Sequence, residues 1–201
     1  MLPIWSLSRY LTRKSILIMY VVVEEYNPVW AQQFEVLKGE LETVLARVNY
    51  ISIEHVGSTS VPGLAAKPTI DLSVISERED VDLIIEALCS KGGYDYMGLK
   101  GIPDRHAFRK LDNTPSRNLY VSVKDCQSVK NQLAVRDICR RDSNVRDVYG
   151  QAKLELAQRE WRDVDEYCEA KNDIVGWVLE KAGLDDQERA EIRKINTATR
   201  V

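Results

Sequence analysis

The residues with the clearest chemical potential lie in one short segment, GSTSVPGLAAKPTID, which begins at Gly57. Gly57 lets the backbone approach a ligand closely, and Ser58 and Thr59 add hydroxyl donors. Lys67 supplies a positive charge ahead of Asp71, the carboxylate that closes the segment. Backbone N–H groups, hydroxyls and a lysine can together surround phosphate oxygens. The segment therefore indicates a phosphate-binding loop, although a plain turn between two strands has a similar composition.

Asp71 is the candidate metal ligand and catalytic residue of this segment. An aspartate on a strand beside such a loop can hold Mg²⁺ that bridges the phosphates of a nucleotide. A carboxylate that alternates out of an apolar strand can equally lie on a solvated face, so both interpretations stay open. His55, just before the loop, is either a phosphate donor or a structural histidine. The loop matches neither the Gly-Lys-Ser/Thr ending of a Walker loop nor the dinucleotide pattern G-x-G-x-x-G.

The periodicity of the flanking sequence predicts the elements that position these residues. A helix is predicted from Asn27-Pro28 to near Asn49, because apolar residues recur there at three- and four-residue steps. Strands are predicted over 50–56 and 69–75, with one helical turn capped by Ser60 between them. The other predicted elements are a helix over 79–90, strands over 94–99, 106–111 and 117–124, and helices over 128–141, after 142–143 and over 164–182.

This order of elements predicts an α+β fold, with a mixed β-sheet, helices packed mainly on one face and a helical C-terminal third. The length of 201 residues predicts a single domain. We expect that domain to occupy 19–183, after an N-terminal extension over 1–18. Residues 184–201 are charged and are expected to form a frayed C-terminal tail.

Composition argues against several classes of protein. The net charge of -3 and the sequence pI of about 5.6 give no sign of a nucleic-acid partner. The apolar run over 16–23 is too short to span a bilayer as a helix, so no membrane partner is expected. The 4 cysteines contain no C-x-x-C pair, which favours reduced thiols in a cytoplasmic protein over a zinc site. Residues 1–18 are basic and free of acids, which is also typical of a mitochondrial targeting segment; a start at Met19 is a further alternative.

Several segments carry a resemblance to a known family. EHVGSTSVPGLAAKPTIDLSV resembles the signature of the GrpB family, a group placed in the nucleotidyltransferase superfamily. VVVEEYNPVW is similar to the family's opening strand, and YGQAKLELA and YCEAKNDI are similar to its two C-terminal Tyr…Lys helices. The resemblance covers 21–183 and implies a nucleotidyltransferase-like fold. It also makes Lys153 and Lys171, the lysines of those helices, candidates for phosphate binding.

The superfamily chemistry that this resemblance implies depends on paired carboxylates. Two or three acids hold two Mg²⁺ ions, which activate a hydroxyl and neutralise the leaving pyrophosphate. Here the second acidic position is Ser73, and the strand expected to carry a third acid presents Asn118, Tyr120 and Ser122. The acids that could complete the site from elsewhere are Glu54, Asp104, Asp112 and Asp125.

The resemblance also places basic residues at Arg109 and Lys110, which are further candidates for phosphate contact. The sequence therefore predicts that a nucleotide or another phosphorylated small molecule binds with Mg²⁺ at the Gly57–Asp71 loop. Transfer of a nucleotidyl group to a small acceptor is the reaction that the resemblance implies. The alternative is a non-catalytic ligand-binding or interaction module that has lost the metal-binding acids.

Overall fold

The computed structural model describes residues 20–112 and 114–198. The predicted extension over 1–18, with its targeting alternative, lies outside the described residues. The strands are β1 (Ser52–Val56), β2 (Ile70–Ser76), β3 (Asp95–Tyr96), β4 (Arg105–Arg109) and β5 (Arg117–Val123). The helices are α1 (Val29–Val44), α2 (Val81–Ser90), α3 (Gln127–Arg141), α4 (Ser143–Ala157), α5 (Val164–Ala170), α6 (Asn172–Lys181) and α7 (Asp186–Ala198). Short 3₁₀ turns lie at Ser58–Ser60 and Arg78–Asp80.

The strands form one mixed sheet in the order β1-β2-β5-β4-β3. β2 runs parallel to β5, whereas the other neighbouring pairs are antiparallel. The register sets Asp71 of β2 opposite Asn118 of β5, and Ser73 opposite Tyr120. Because paired residues share a face of the sheet, these four polar side chains form one row across the two central strands.

The other face of the sheet is apolar and carries the main core. Leu72 and Val74 of β2 and Leu119 and Val121 of β5 are at most 1% exposed. The helical residues packed on this face are Trp30, Phe34, Leu37 and Leu41 of α1 and Val81, Ile84, Ala87 and Leu88 of α2. α1 begins at Val29, one residue after the predicted start, and ends at Val44, short of the predicted end near Asn49. The Asn27 side chain accepts a hydrogen bond from the Val29 N–H at 3.0 Å. α1 and α2 thus supply the principal helical layer of the fold.

The C-terminal helices meet the polar face of the sheet only in part. α3 contacts β1 and β5, and a cleft stays open between α4, α5 and the row of polar side chains on β2 and β5. The predicted α+β class, mixed sheet and helical C-terminal third are confirmed. Within the described residues, every helix is too short or too polar to cross a membrane.

Two of the predicted C-terminal elements differ from the structure. The helix expected over 164–182 is divided, because α5 ends at Ala170 and α6 begins at Asn172. The segment expected to be frayed forms α7. Asp185 and Glu188 cap its start reciprocally, through N–H to carboxylate bonds of 2.8 and 3.1 Å, and Ile192 is only 2% exposed. A division into domain and tail at residue 183 stays a prediction.

Candidate functional site

The loop after β1 contains a 3₁₀ turn ahead of the turn predicted at 61–64. The 3₁₀ turn begins at Ser58, directly after Gly57, and ends at Ser60. The predicted turn follows it, since the Leu64 N–H donates to the Val61 carbonyl oxygen at 3.1 Å, but the Ser60 side chain does not cap it. The Ser60 hydroxyl donates to the Gly57 carbonyl oxygen at 2.6 Å, and the Arg140 guanidinium donates to the Ser60 carbonyl oxygen at 2.7 and 3.1 Å. The loop is therefore held from α3 as well as by its own backbone.

Gly57 and Asp71 pack directly against each other. Gly57 has φ 70° and ψ -177°, a conformation that glycine adopts at little steric cost and other residues avoid. A β-carbon added to Gly57 would lie 2.8 Å from Cγ of Asp71 and closer still to Oδ2. The glycine in the motif thus has a definite physical role, which is to make room for the carboxylate.

Asp71 is held on its other side by a residue of β5. The Asn118 side-chain amide donates to Oδ1 of Asp71 at 2.7 Å. Burial raises the pKa of Asp71, while the Asn118 hydrogen bond and the charges of Lys171, Lys67 and Arg105 offset part of that rise. The carboxylate is thus fixed in position and surrounded mainly by positive charge.

A cleft of about 520 Å³ opens over Asp71. Its lining residues are Val21, Ser58, Thr59, Lys67, Thr69, Asp71, Ser116, Asn118, Tyr120, Lys153, Tyr167, Cys168 and Lys171. The structure therefore brings six of the predicted site residues to one cavity. Gly57 packs against Asp71, which lines this cavity. In the part of the chain that the structure describes, this lining carries three lysines and a single carboxylate.

The two Tyr…Lys segments place their lysines in this cleft by the same geometry. Lys153 Nζ lies 4.4 Å from the centre of the Tyr149 ring, and Lys171 Nζ lies 4.7 Å from the centre of the Tyr167 ring. A lysine four residues after a tyrosine lies on the same side of a helix, which explains the spacing of both segments. Tyr149 also hydrogen-bonds the Ser58 side chain, so α4 is joined to the loop.

Two predicted residues lie away from the cleft. Arg109 pairs with Asp95 at 3.6 Å, and Lys110 lies 4.0 Å from Asp112 and over the ring of Tyr94. Both are absent from the cleft lining. Their placement supports a role in the β3–β4 edge of the sheet, and we do not carry them forward as phosphate ligands.

His55 and Thr59 serve the core and the loop. The Thr59 hydroxyl donates to the Thr69 carbonyl oxygen at 3.1 Å and accepts from Nε2 of His55 at 3.1 Å. The imidazole stacks on Phe34 with ring centres 4.5 Å apart and is 7% exposed. Burial, followed by the charges of Arg140 and Arg136, lowers the pKa of His55 to about 4. His55 is thus a neutral structural histidine.

The acids that could have completed a two-metal site are absent from the cleft lining. Glu54 pairs with Arg136 at 2.7 Å. Asp104 pairs with Arg78 at 2.8 Å, Asp112 pairs with Arg117 at 2.6 Å, and Asp125 lies in the exposed turn after β5. Across the described residues, no group of three or more His, Cys, Asp or Glu side chains could hold a metal ion.

The donor set of the cleft fits one Mg²⁺ ion and does not fit two. Mg²⁺ takes six oxygen ligands and commonly keeps waters and phosphate oxygens among them. Asp71 and the amide oxygen of Asn118 are oxygen donors that fit one such ion beside a bound phosphate. A second ion does not fit, because the lining offers no second carboxylate and its three lysines repel cations.

Arg105 is the charged residue near the site that sequence reasoning missed. Its guanidinium lies 4.4 Å above the Tyr120 ring, and its charge acts on Asp71. The strand was predicted from His106, but β4 begins one residue earlier, so Arg105 belongs to the same face of the sheet as Tyr120. Extending the alternation by one residue would have found it.

Comparison with known proteins identifies the family that this chain resembles. The GrpB protein family model matches residues 20–181. A UPF0157 protein of Halalkalibacterium halodurans is 36% identical over 81% of this chain and 82% of its own length. A UPF0157 protein of Streptomyces coelicolor is 30% identical over 80% of this chain and 83% of its own length.

Solved structures are also similar to this chain. The crystal structure of the conserved protein GrpB from Enterococcus faecalis has a TM-score of 0.68 at 34% identity, covering 80% of this chain and 96% of that one. A Cid1 poly(U) polymerase structure with Mg and 3'-dATP bound has a TM-score of 0.47 at 13% identity, a likeness too distant to inform on ligands. With a family model over most of its length and relatives at this identity, the chain belongs to the GrpB family.

Proposed function

We propose that this chain binds a nucleotide or another phosphorylated small molecule in the cleft over Asp71, together with one Mg²⁺. The observation that carries the proposal is the charge of the lining, in which Lys67, Lys153 and Lys171 share the cleft with the single carboxylate of Asp71. A pocket with this excess of positive charge favours ligands that carry several negative charges.

Each part of the cleft has a separate role in this proposal. Ser58 and the backbone of the loop after Gly57 contact phosphate oxygens, and Lys67 and Lys171 pair with their charge. Asp71, fixed by Asn118, holds the metal ion. Mg²⁺ at this position supplies charge neutralisation of the phosphate oxygens.

We further propose that the cleft binds its ligand without transferring a nucleotidyl group. Transfer through two metal ions requires at least two carboxylates at the reacting phosphate. On the face of the sheet that bears Asp71, the nearby positions hold Ser73, Asn118 and Tyr120 instead of acids. Glu54 is paired with Arg136. This arrangement favours the binding module over the transferase that the family resemblance implied.

Calorimetric titration of inorganic pyrophosphate and the four ribonucleoside triphosphates, with Mg²⁺ present, tests the proposal. We expect wild type to bind at least one of them, and Lys171→Met to weaken that binding by about tenfold, the effect of losing about 1.4 kcal/mol. Lys110→Met is the matched control, because it removes a lysine outside the cleft and should leave affinity unchanged. No binding by any probe, or equal losses in the two variants, would contradict the proposed site.

An assay of pyrophosphate release separates binding from transfer. The wild-type protein is incubated with each triphosphate, Mg²⁺ and a panel of small hydroxyl and amine acceptors. We expect no release above a protein-free control. Release that is lost in Asp71→Asn would establish a transferase and overturn the binding-only proposal.

A further inference from the structure

We propose that Lys153 takes up a proton when a dianionic phosphate group enters the cleft, so that the charge of the cleft adjusts to its ligand. This inference rests on the proposed function and assigns the ligand to a chemical class, namely molecules that carry a phosphate with two negative charges. It also gives Lys153 a role distinct from those of Lys67 and Lys171, which are more exposed.

The position of Lys153 is unusual for a lysine. It lies on α4, is only 3% exposed, and still lines the cleft. Its Nζ donates to the Ala65 carbonyl oxygen and lies over the Tyr149 ring. Buried lysines are normally paired with a carboxylate, because a buried charge without one is costly. Among the residues that the structure describes, no carboxylate forms a salt bridge with this ammonium group.

The groups that face Lys153 from neighbouring elements give it no negative charge. Lys171, between α5 and α6, is a like charge. Burial raises the pKa of Cys139 on α3 to about 11 and raises that of Tyr149 on α4, so both are neutral near pH 7. Tyr167 on α5, whose pKa burial raises to about 12, is neutral as well. Across the cleft, Lys67 and Lys171 offset the charge of Asp71.

The burial of Lys153 determines whether ligand binding takes up or releases a proton. Burial, then the charge of Lys171, lowers the pKa of Lys153 to about 7. Below that pH the free protein already carries the proton, and above it the amine is neutral. A bound anion stabilises the charged form and raises the pKa. Ligand binding at about pH 8 should therefore take up about one proton from solution, and binding at about pH 6 should take up very little.

The class of ligand follows from the same charges. Protonation of Lys153 beside Lys171 places two positive charges in the cleft, one of them on a buried side chain. A dianionic phosphate can pair with both charges, whereas a monoanionic phosphodiester leaves one of them uncompensated. The structure therefore favours terminal phosphates and phosphomonoesters over diesters.

The first test is calorimetry with ATP and inorganic pyrophosphate at about pH 6 and about pH 8, in buffers of different ionisation enthalpy. The number of protons taken up by wild type is compared with that of Lys153→Arg, in which the side chain stays charged at both values. Protonation of the ligand itself cancels in this difference. We expect an excess of about one proton in wild type at the higher pH and no excess at the lower pH.

A second measurement uses wild-type protein alone and does not depend on whether the variant folds. With ¹³C-labelled lysine, we expect one Cε resonance to titrate near pH 7 in the free protein and to stop titrating there once ATP is bound. Lys171→Met should move its midpoint upwards, because a neighbouring positive charge is removed.

The two proposals fail in different ways. If ATP and pyrophosphate bind wild type but every lysine stays charged at pH 8, only the role of Lys153 is overturned. Equal proton uptake by wild type and by a folded Lys153→Arg protein has the same meaning. If no probe binds wild type, the proposed function is overturned and this inference with it.

Discussion

A β-carbon on Gly57 would overlap the carboxylate of Asp71, and the left-handed backbone of Gly57 is what brings the two residues so close. The glycine of the loop and the aspartate of β2 are thus one structural unit. Asn118 completes the unit from β5 through a 2.7 Å hydrogen bond. The contact explains why the motif begins with glycine and ends with aspartate across a long intervening loop.

Replacing Gly57 should therefore damage both stability and the site. In Gly57→Ala, the positive φ and the overlap with Asp71 are expected to lower the free energy of unfolding by about 1–3 kcal/mol. Urea denaturation measures this loss. Gly39→Ala is the control, since a β-carbon there meets nothing within 4 Å; in this helical position alanine should add about 0.5–1 kcal/mol. A Gly57→Ala protein as stable as wild type would contradict the contact.

The ionised form of Asp71 should destabilise the folded protein. Because its pKa is raised in the folded state, the folded protein holds this proton more tightly than the unfolded chain does. The ionised carboxylate therefore destabilises the fold, and this effect grows as pH rises through the raised pKa. Asp71→Asn is nearly isosteric and can still accept the Asn118 hydrogen bond. We expect a higher Tm for Asp71→Asn than for wild type at neutral pH. A lower Tm would show that the ionised carboxylate stabilises the fold, which would contradict this prediction.

Asn118 should control how readily Asp71 ionises. Its amide stabilises the charged carboxylate, so Asn118→Ala raises the pKa of Asp71 further. Because Mg²⁺ requires the ionised form, its affinity should fall by about 1 kcal/mol. The part of this loss that comes from the raised pKa should recover at higher pH, whereas the part that comes from the lost amide oxygen should not. Calorimetric Mg²⁺ titrations in the presence of ligand, at several pH values, follow the change. Ser116→Ala is the matched control, because Ser116 lines the cleft and bonds Thr69 instead. An unchanged pH profile in Asn118→Ala would refute the coupling.

His55 should make the fold sensitive to acid. The folded pKa of about 4 lies below the ordinary value of 6.5, so the unfolded chain binds the proton more tightly between these values. Stability should fall as pH drops from 6.5 towards 4, by about 1–3 kcal/mol for this group. His55→Gln can keep the bond to Thr59 and cannot be protonated. Chemical denaturation across this range should show a smaller loss for the variant, and equal losses would exclude His55 as the cause.

Much of the site could be predicted because its residues are close in sequence or follow a helical spacing. The loop joins β1 to β2, and Asp71 lies near the start of β2. The Tyr…Lys spacing places each lysine, Lys153 or Lys171, on the same side of its helix as the tyrosine before it. The alternation along β2 and β5 also predicts which face carries Asp71 and Asn118. These features depend on local geometry, which a single sequence contains, whereas Lys153 and Lys171 became candidates through the family resemblance.

The parts that were missed depend on distant contacts or on small errors at element ends. Glu54 pairs with Arg136, a residue more than eighty positions away on α3, and no local pattern reveals that partner. Arg105 was missed because the strand was predicted to begin one residue later, at His106, whereas Arg109 was chosen through the family resemblance. The end of the chain was expected to fray because it is highly charged, but the capping pair Asp185–Glu188 and the buried Ile192 stabilise α7.

The central claim is that Asp71 holds a metal ion against a bound phosphate. The most direct test is calorimetric titration of the four ribonucleoside triphosphates into wild type and Asp71→Asn, each with and without Mg²⁺. We predict that wild type binds at least one triphosphate more tightly with Mg²⁺ than without it, and that this difference disappears in Asp71→Asn while the variant remains folded. Equal Mg²⁺ dependence in the two proteins would contradict the claim.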